Sequence, residues 1–214
     1  MCIPLSQTME GRLSVLIDEC GVSDDEQLGA LIVRTPSLLH TPLGQIRSRA
    51  EWLVSSGVVE SGSRPKERST NIGAFLLRQP DYFSVPTAKC KDVFRWLLSI
   101  GLTKRKAAGV ISSEPSVLNQ PIDQLSLRSQ FFLSVLGGTL PELCNVPHML
   151  TCDLAKVPML RHAYCLSNGL EVKPTELLVK GDATFVQIIE RDLEELNAFE
   201  QEGKHLSFFQ GSAM

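Results

Sequence analysis

The chain has 214 residues, 43% apolar and 21% charged, a composition that describes a soluble globular protein able to bury about 70% of its unfolded surface. No apolar run approaches the roughly 18 residues a membrane span needs, so insertion into a membrane is excluded. Cys2, Cys20, Cys90, Cys144, Cys152 and Cys165 contain no CxxC pair and predict reduced thiols rather than a disulfide framework.

The net charge of -3 hides a strong asymmetry. Residues 1–26 hold six acidic and one basic side chain, and residues 182–214 hold seven acidic and two basic. Between them, residues 27–136 hold seven acidic and fourteen basic, net +7, while 137–181 balance four against four. A basic block between acidic ends matters more to a polyanion than the whole-chain total.

In chain order, the first ten residues, MCIPLSQTME, show neither the basic start of a secretory signal nor the Arg-rich character of a transit peptide. Next comes RLSVLIDECGV, an incomplete copy of a repeat, spanning about 12–22 and ending at Gly21 with Ile17 four residues earlier. Ser23-Asp24-Asp25-Glu26 then reads as a capping box that opens a helix with acids at its positive end.

Four full copies follow, at about 27–58, 72–102, 104–138 and 140–170. Their fixed points are Pro36, Pro80, Pro115 and Pro147. Two and three residues later stand the apolar pairs Leu38/Leu39, Tyr82/Phe83, Val117/Leu118 and Met149/Leu150. Gly57, Gly101, Gly137 and Gly169 come 21 or 22 residues past each Pro, with Leu53, Leu97, Leu133 and Cys165 four residues before them in an expected core column. A short helix must stop before the Pro, which lacks an N–H and restricts its predecessor. Pro42, Pro86 and Pro121, and Asp153 in the fourth copy, mark the start of a second, longer helix that ends at the Gly.

Two helices per unit predict an all-α fold: a right-handed-type α-solenoid of about four and a half two-helix repeats. Residues 60–71, ESGSRPKERSTN, lengthen the first Pro-to-Pro spacing and read as an exposed loop insertion. The array extends over 1–190, closing with a segment at 174–190. An acidic helix is expected over 190–202, with Ile189, Leu193, Leu196 and Phe199 on one face, and 203–214 is expected to be a loose tail, with docking of Phe208 and Phe209 on a partner the alternative.

The Leu-x-x-x-Pro-x-Leu-Leu core followed by Phe/Trp-Leu-x-x-x-Gly-Leu resembles the mitochondrial transcription termination factor (mTERF) family over roughly residues 13–190. The stretch ELLVKGDATFVQII is similar to the family's closing segment. The resemblance implies a mitochondrial protein of gene expression that binds nucleic acid; a chloroplast is the other organelle the family offers, and no cofactor is expected.

Function in a solenoid falls to exposed columns on one face. Counted from each Pro, basic residues recur: Arg34 and Arg78 two before it, Lys89 and Lys156 nine after, Arg47 and Lys91 eleven after, Arg49 and Arg128 thirteen after. Lys91 and Arg95 share a helix face. Thr103 reads as an N-cap that places Lys104, Arg105 and Lys106 in a first turn, where cations oppose the macrodipole until a phosphate arrives. These twelve are the candidate nucleic-acid-binding residues, against the plainer reading of solvated surface charge.

Cys144, His148, Cys152, His162 and Cys165 lie close in sequence, but Cys165 falls in the core column and Cys144 in the column of Val33 and Leu77, which favours buried thiols over zinc ligands. No GxSxG, GxxxxGK[ST], HExxH or GxGxxG pattern is present, so no enzyme is expected. The leading expectation is binding to structured RNA, such as ribosomal RNA within an organellar ribosome, through backbone phosphates. A structural adaptor that meets ribosomal or other organellar proteins through its acidic ends is the alternative, and a factor binding duplex DNA the second.

Overall fold

The computed structural model describes residues 9–22, 25–60 and 65–203. The expected cap residues Ser23 and Asp24, the first eight residues and most of the tail (204–214) lie outside them. Among the described residues all regular structure is helical. A first compact unit, ending at Gln120, holds α1 (Met9–Ser14), α2 (Asp25–Arg34), α3 (Leu43–Ser55), α4 (Pro65–Arg78), α5 (Thr87–Ser99) and α6 (Lys104–Ser113). A second, from Pro121, holds α7 (Ile122–Gln130), α8 (Leu140–Asn145), α9 (Leu160–Ser167), α10 (Asp182–Ile188) and α11 (Leu193–Gln201).

One backbone solution recurs at each fixed Pro. Thr35, Gln79, Glu114 and Val146 leave the α region, with φ between -124° and -135° and ψ between 57° and 75°. The following Pro makes that region unfavourable for them, so the helix stops there. Pro36, Pro80, Pro115 and Pro147 each open a 3-10 turn, a position where no N–H is missed. The turn drives its apolar pair inward: Tyr82/Phe83, Val117/Leu118 and Met149/Leu150 are buried, as is Leu38, while Leu39 is half-buried.

Pro42, Pro86 and Pro121 sit one place earlier than expected. Their ψ angles of 136° to 145° make them cap residues rather than first helical residues, and their carbonyls receive the first helical amides. Asp153 does what an aspartate at that place should, its Oδ1 accepting from the amides of Ala155 and Lys156. Gly21, Gly57, Gly101, Gly137 and Gly169 all adopt φ between 65° and 102°, the left-handed conformation that ends each long helix.

The 21-or-22 spacing has a structural cause. Copies three and four contain one more residue between Pro and Gly, and each absorbs it as a π turn, at Phe131–Val135 and at Ala155–Met159. In the fourth copy the π turn comes early, so Cys165 keeps its buried place four residues before the Gly. In the third it comes late, so Phe132 is fully buried and the expected Leu133 is only half-buried. The partial copy behaves as the third does: a π turn at Val15–Glu19 buries Leu16 and leaves Ile17 38% exposed.

Three further expectations are corrected. From Pro65 onward the presumed loop at 60–71 is the start of α4, with Pro at its first position; residues 61–64 lie outside the described set. The acidic helix begins at Leu193, not at 190, because Glu190 takes a φ of 53° and breaks the chain between α10 and α11. Val33 is 81% exposed, so the column it shares with Cys144 is not a core column.

In the first unit, Tyr82 is the hub of an aromatic cluster with Trp52, Phe75 and Phe83, and its hydroxyl donates to the Arg49 carbonyl at 2.9 Å. Gly73 lets α4 press on the turn at Cys20–Gly21, where a Cβ would stand 2.7 Å from the Gly21 carbonyl oxygen. In the second unit, Leu160, Tyr164, Leu177, Phe185 and Leu196 form a core closed by α11, with Phe199 packed on its edge.

Candidate nucleic-acid interface

Charge divides between the units. Residues 27–120, all in the first, carry six acidic and thirteen basic side chains, net +7. The second unit carries twelve acidic and seven basic, net -5. With the acidic residues 1–26 the whole first unit holds twelve acidic and fourteen basic side chains, net +2, so its positive charge is concentrated in residues 27–120.

The clearest group stands at the start of α6. Thr103 caps the helix, its Oγ1 accepting from the Lys106 amide at 3.4 Å, and Lys104, Arg105 and Lys106 are all exposed. The first amides of a helix have no partner within it, so amide donors and three cations share one end. The protein treats another helix start in the opposite way. At α8, Thr139 and Glu142 form a full capping box, with Glu142 Oε2 on the Thr139 amide at 2.8 Å and the Glu142 carboxyl held below its usual range by those bonds. Acids suit that end of a helix; at α6 the cations are unfavourable until an anion joins them.

The other candidates separate by what they touch. Arg34 and Lys91 are exposed in the first unit, as is Lys156 in the second. Arg47 pairs with Glu19 at 2.6 Å and Arg95 with Asp92 at 2.6 Å, both in water. Exposed pairs of this kind contribute about 0–1 kcal/mol, little enough for a phosphate to displace the carboxylate. Arg78 is exposed, with Nη1 on the Ser112 carbonyl at 3.1 Å; Lys89 is half-buried, with Nζ on the Asn119 carbonyl at 2.5 Å.

Arg49 and Arg128 belong to the interior scaffold, a correction to their place in the basic column. Arg49 is buried and donates to the carbonyl of Phe83. Arg128 is half-buried and donates to the carbonyl of Leu150 at 3.0 Å. Both acceptors lie three residues after the Pro of the next copy, where the 3-10 turn leaves a carbonyl without a helical partner.

A third member of this column escapes the sequence pattern. Arg161 stands fourteen rather than thirteen residues after its Pro, because the early π turn precedes it. It is 2% exposed and donates to the carbonyls of Leu177 and Val179, each at 2.8 Å. Asp182 supplies its counter-charge at 2.7 Å, and its guanidinium lies 4.8 Å from the Phe185 ring centroid. The signal was present in the longer Pro-to-Gly spacing, but only the π turn gives that spacing a meaning.

The cysteine and histidine run does not assemble. Cys165 is buried with its thiol pushed up to about 11 by desolvation, and Cys152 likewise to about 11. His148 Nε2 meets the Leu178 carbonyl, and His162 lies edge-on to Phe131. Among the described residues no group of three or more His, Cys, Asp or Glu is placed to hold a metal ion. Among them, too, no helix is long and apolar enough to cross a membrane.

Repeated helix–Pro–turn–helix–Gly units define a helical repeat protein, with a basic stretch at residues 27–120 of its first unit. A family model described as mTERF matches residues 5–186, and the chain belongs to the mTERF family, helical repeat proteins of organelles that bind nucleic acid. No curated protein matches the chain significantly.

Proposed function

We propose that this chain is a mitochondrial RNA-binding protein that holds structured RNA, such as ribosomal RNA, through its backbone phosphates. The observation that carries the reading is the exposed Lys104-Arg105-Lys106 turn on a capped helix start, within a unit whose residues 27–120 are net +7. Arg34 and Lys91 extend the contact within that unit, with Arg47, Lys89 and Arg95 available to it; Lys156 is a further exposed cation, in the second unit. Backbone contacts give modest sequence preference and strong salt dependence.

The test is equilibrium binding of the full chain to duplex RNA, single-stranded RNA and duplex DNA between about 50 and 200 mM salt. Preference for RNA with a steep slope, weakened by the triple change Lys104→Glu, Arg105→Glu and Lys106→Glu, supports the reading. Preference for duplex DNA replaces it with a transcription-factor role.

The second reading is an adaptor seated in an organellar assembly such as the mitochondrial ribosome. It draws on the net charge of -5 over residues 121–214 and on the exposed carboxylates of α11, Glu194 and Glu200. Absence of binding to any nucleic acid at low salt, with retained association in the organelle, favours it.

A further inference from the structure

The first unit contains a cleft of about 270 Å3 where the chain leaving α3 passes α4 and the end of α6. Glu60, Asn71 and Arg78 give it polar lining, and Val59 and Ala74 apolar lining. Two of the polar groups are braced. Arg78 Nη1 donates to the Ser112 carbonyl at 3.1 Å, and Asn71 Nδ2 donates to the Glu60 carbonyl at 3.3 Å. Bracing fixes where these side chains sit while leaving the other guanidinium nitrogens as donors and the Asn71 amide oxygen as an acceptor. Among the described residues, the side chains of Glu60 and Arg78 take part in no ion pair.

This lining is mixed in charge, and that decides its ligand. A phosphate in the cleft would share it with Glu60, an acidic residue of the lining, and like charges in a small cleft repel. A ligand that is flat, neutral and carries both donors and acceptors on its edge satisfies both signs together. Guanine is such a ligand: its N1–H and N2 amino group suit a carboxylate, and its O6 and N7 suit a guanidinium. Those donors are used up in a base pair, so the base must be unpaired, the form in which RNA sequence is read.

We propose that the Glu60–Asn71–Arg78 cleft binds one unpaired guanine base of an RNA strand. Ser112, which anchors Arg78, and Lys104 are both on α6, about 12 Å apart along its axis. A strand whose base enters the cleft would find the cations at the other end of the same helix. The inference rests on the RNA-binding reading and adds a base-specific contact to a backbone one.

Two measurements on the full chain separate the cleft from the phosphate contacts. In the first, guanosine and uridine, which have no phosphate, are titrated while NMR follows the Asn71 side-chain amide and the Arg78 Nε–H. Guanosine is expected to shift both signals and uridine neither, with the response lost in Glu60→Gln. In the second, a uridine-rich single-stranded oligonucleotide is compared with the same strand carrying one guanine. The guanine strand is expected to bind roughly tenfold tighter, with the gain removed by Glu60→Gln and the salt slope unchanged. No guanosine response together with equal affinity for the two strands overturns the cleft proposal. If those strands still bind with a steep salt slope, the RNA-binding reading survives that result. A guanosine response without binding of either strand would instead uphold the cleft and sink the phosphate contacts.

Discussion

Arg49 donates to the carbonyl of Phe83, and the neighbouring Tyr82 hydroxyl returns a bond to the carbonyl of Arg49. The long helix of one copy is thereby locked to the Pro turn of the next by a reciprocal pair of side-chain-to-backbone bonds. Arg128 with Leu150 and Arg161 with Leu177 repeat the first half of that lock. What a repeat alignment shows as a basic column is, at these places, the fastening between successive turns.

Arg49→Ala is expected to destabilise the chain by about 1–3 kcal/mol, because the Phe83 carbonyl loses its partner in the interior. Lys91→Ala, on the exposed face of α5, should change stability by less than about 0.5 kcal/mol. Urea denaturation of the two variants checks the contrast. Equal stability of both would remove Arg49 from the scaffold.

At Arg161 the effect should be larger. Its guanidinium satisfies two carbonyls, pairs with Asp182 and covers Phe185. Arg161→Ala is expected to cost about 2–4 kcal/mol, because two carbonyls lose their donor together. Asp182→Asn, at a side chain that is 49% exposed, should cost about 1 kcal/mol or less. Thermal unfolding monitored at the near-ultraviolet signal distinguishes them, and a larger loss from Asp182→Asn would contradict the assignment.

The start of α6 gives a prediction in which stability and binding move in opposite directions. Lys104→Glu replaces a cation at the positive end of a helix, so it should raise stability by about 0.3–1 kcal/mol at low salt. The same change should weaken RNA binding and flatten its salt slope by about 1. A variant that is less stable yet binds equally well would mean the turn is built for the fold rather than for a phosphate.

Burial of the thiols sets an alkaline limit. Desolvation, with Glu19 adding to it, pushes Cys20 up to about 12, and burial pushes Cys90 up to about 11, each from 9.0. Above pH 9 the unfolded chain releases these protons while the folded chain keeps them, so the folded state binds more protons and stability falls as pH rises. The contribution is complete below pH 9 and is lost through about pH 11–12. Between about pH 8 and 10.5 the urea midpoint of Cys90→Ala should drop less than that of the natural chain. Parallel decline of the two would refute this role for Cys90.

The π turn in the third copy behaves as an absorbed insertion. Deleting the exposed Ser134 should convert Phe131–Val135 to an ordinary helical turn and leave a cooperatively folding protein. Deleting Asp92 from α5, which has no residue to spare, should rotate its buried face out of the core and prevent cooperative folding. Circular dichroism melts of the two deletions settle the matter; similar melts would show that the π turn has no such role.

Much of the fold was legible because Pro and Gly act on the backbone locally. A Pro forbids the helix to its predecessor and a Gly permits the left-handed turn whatever surrounds them, so the end of the short helix and the end of the long helix in each copy could be read from residue type. The cap at Thr103 was legible for the same reason. Which face of each helix is buried was not. Phe132 in place of Leu133, and Leu16 in place of Ile17, depend on where a π turn forms along the helix. The fate of each cation was equally out of reach. Arg49 and Lys91 are the same kind of residue in the same kind of helix, but a carbonyl left open thirty-four residues away draws one inside while the other stays in water. Local chain stiffness was therefore determined by the sequence alone, and the division of its charges between scaffold and surface only by tertiary packing.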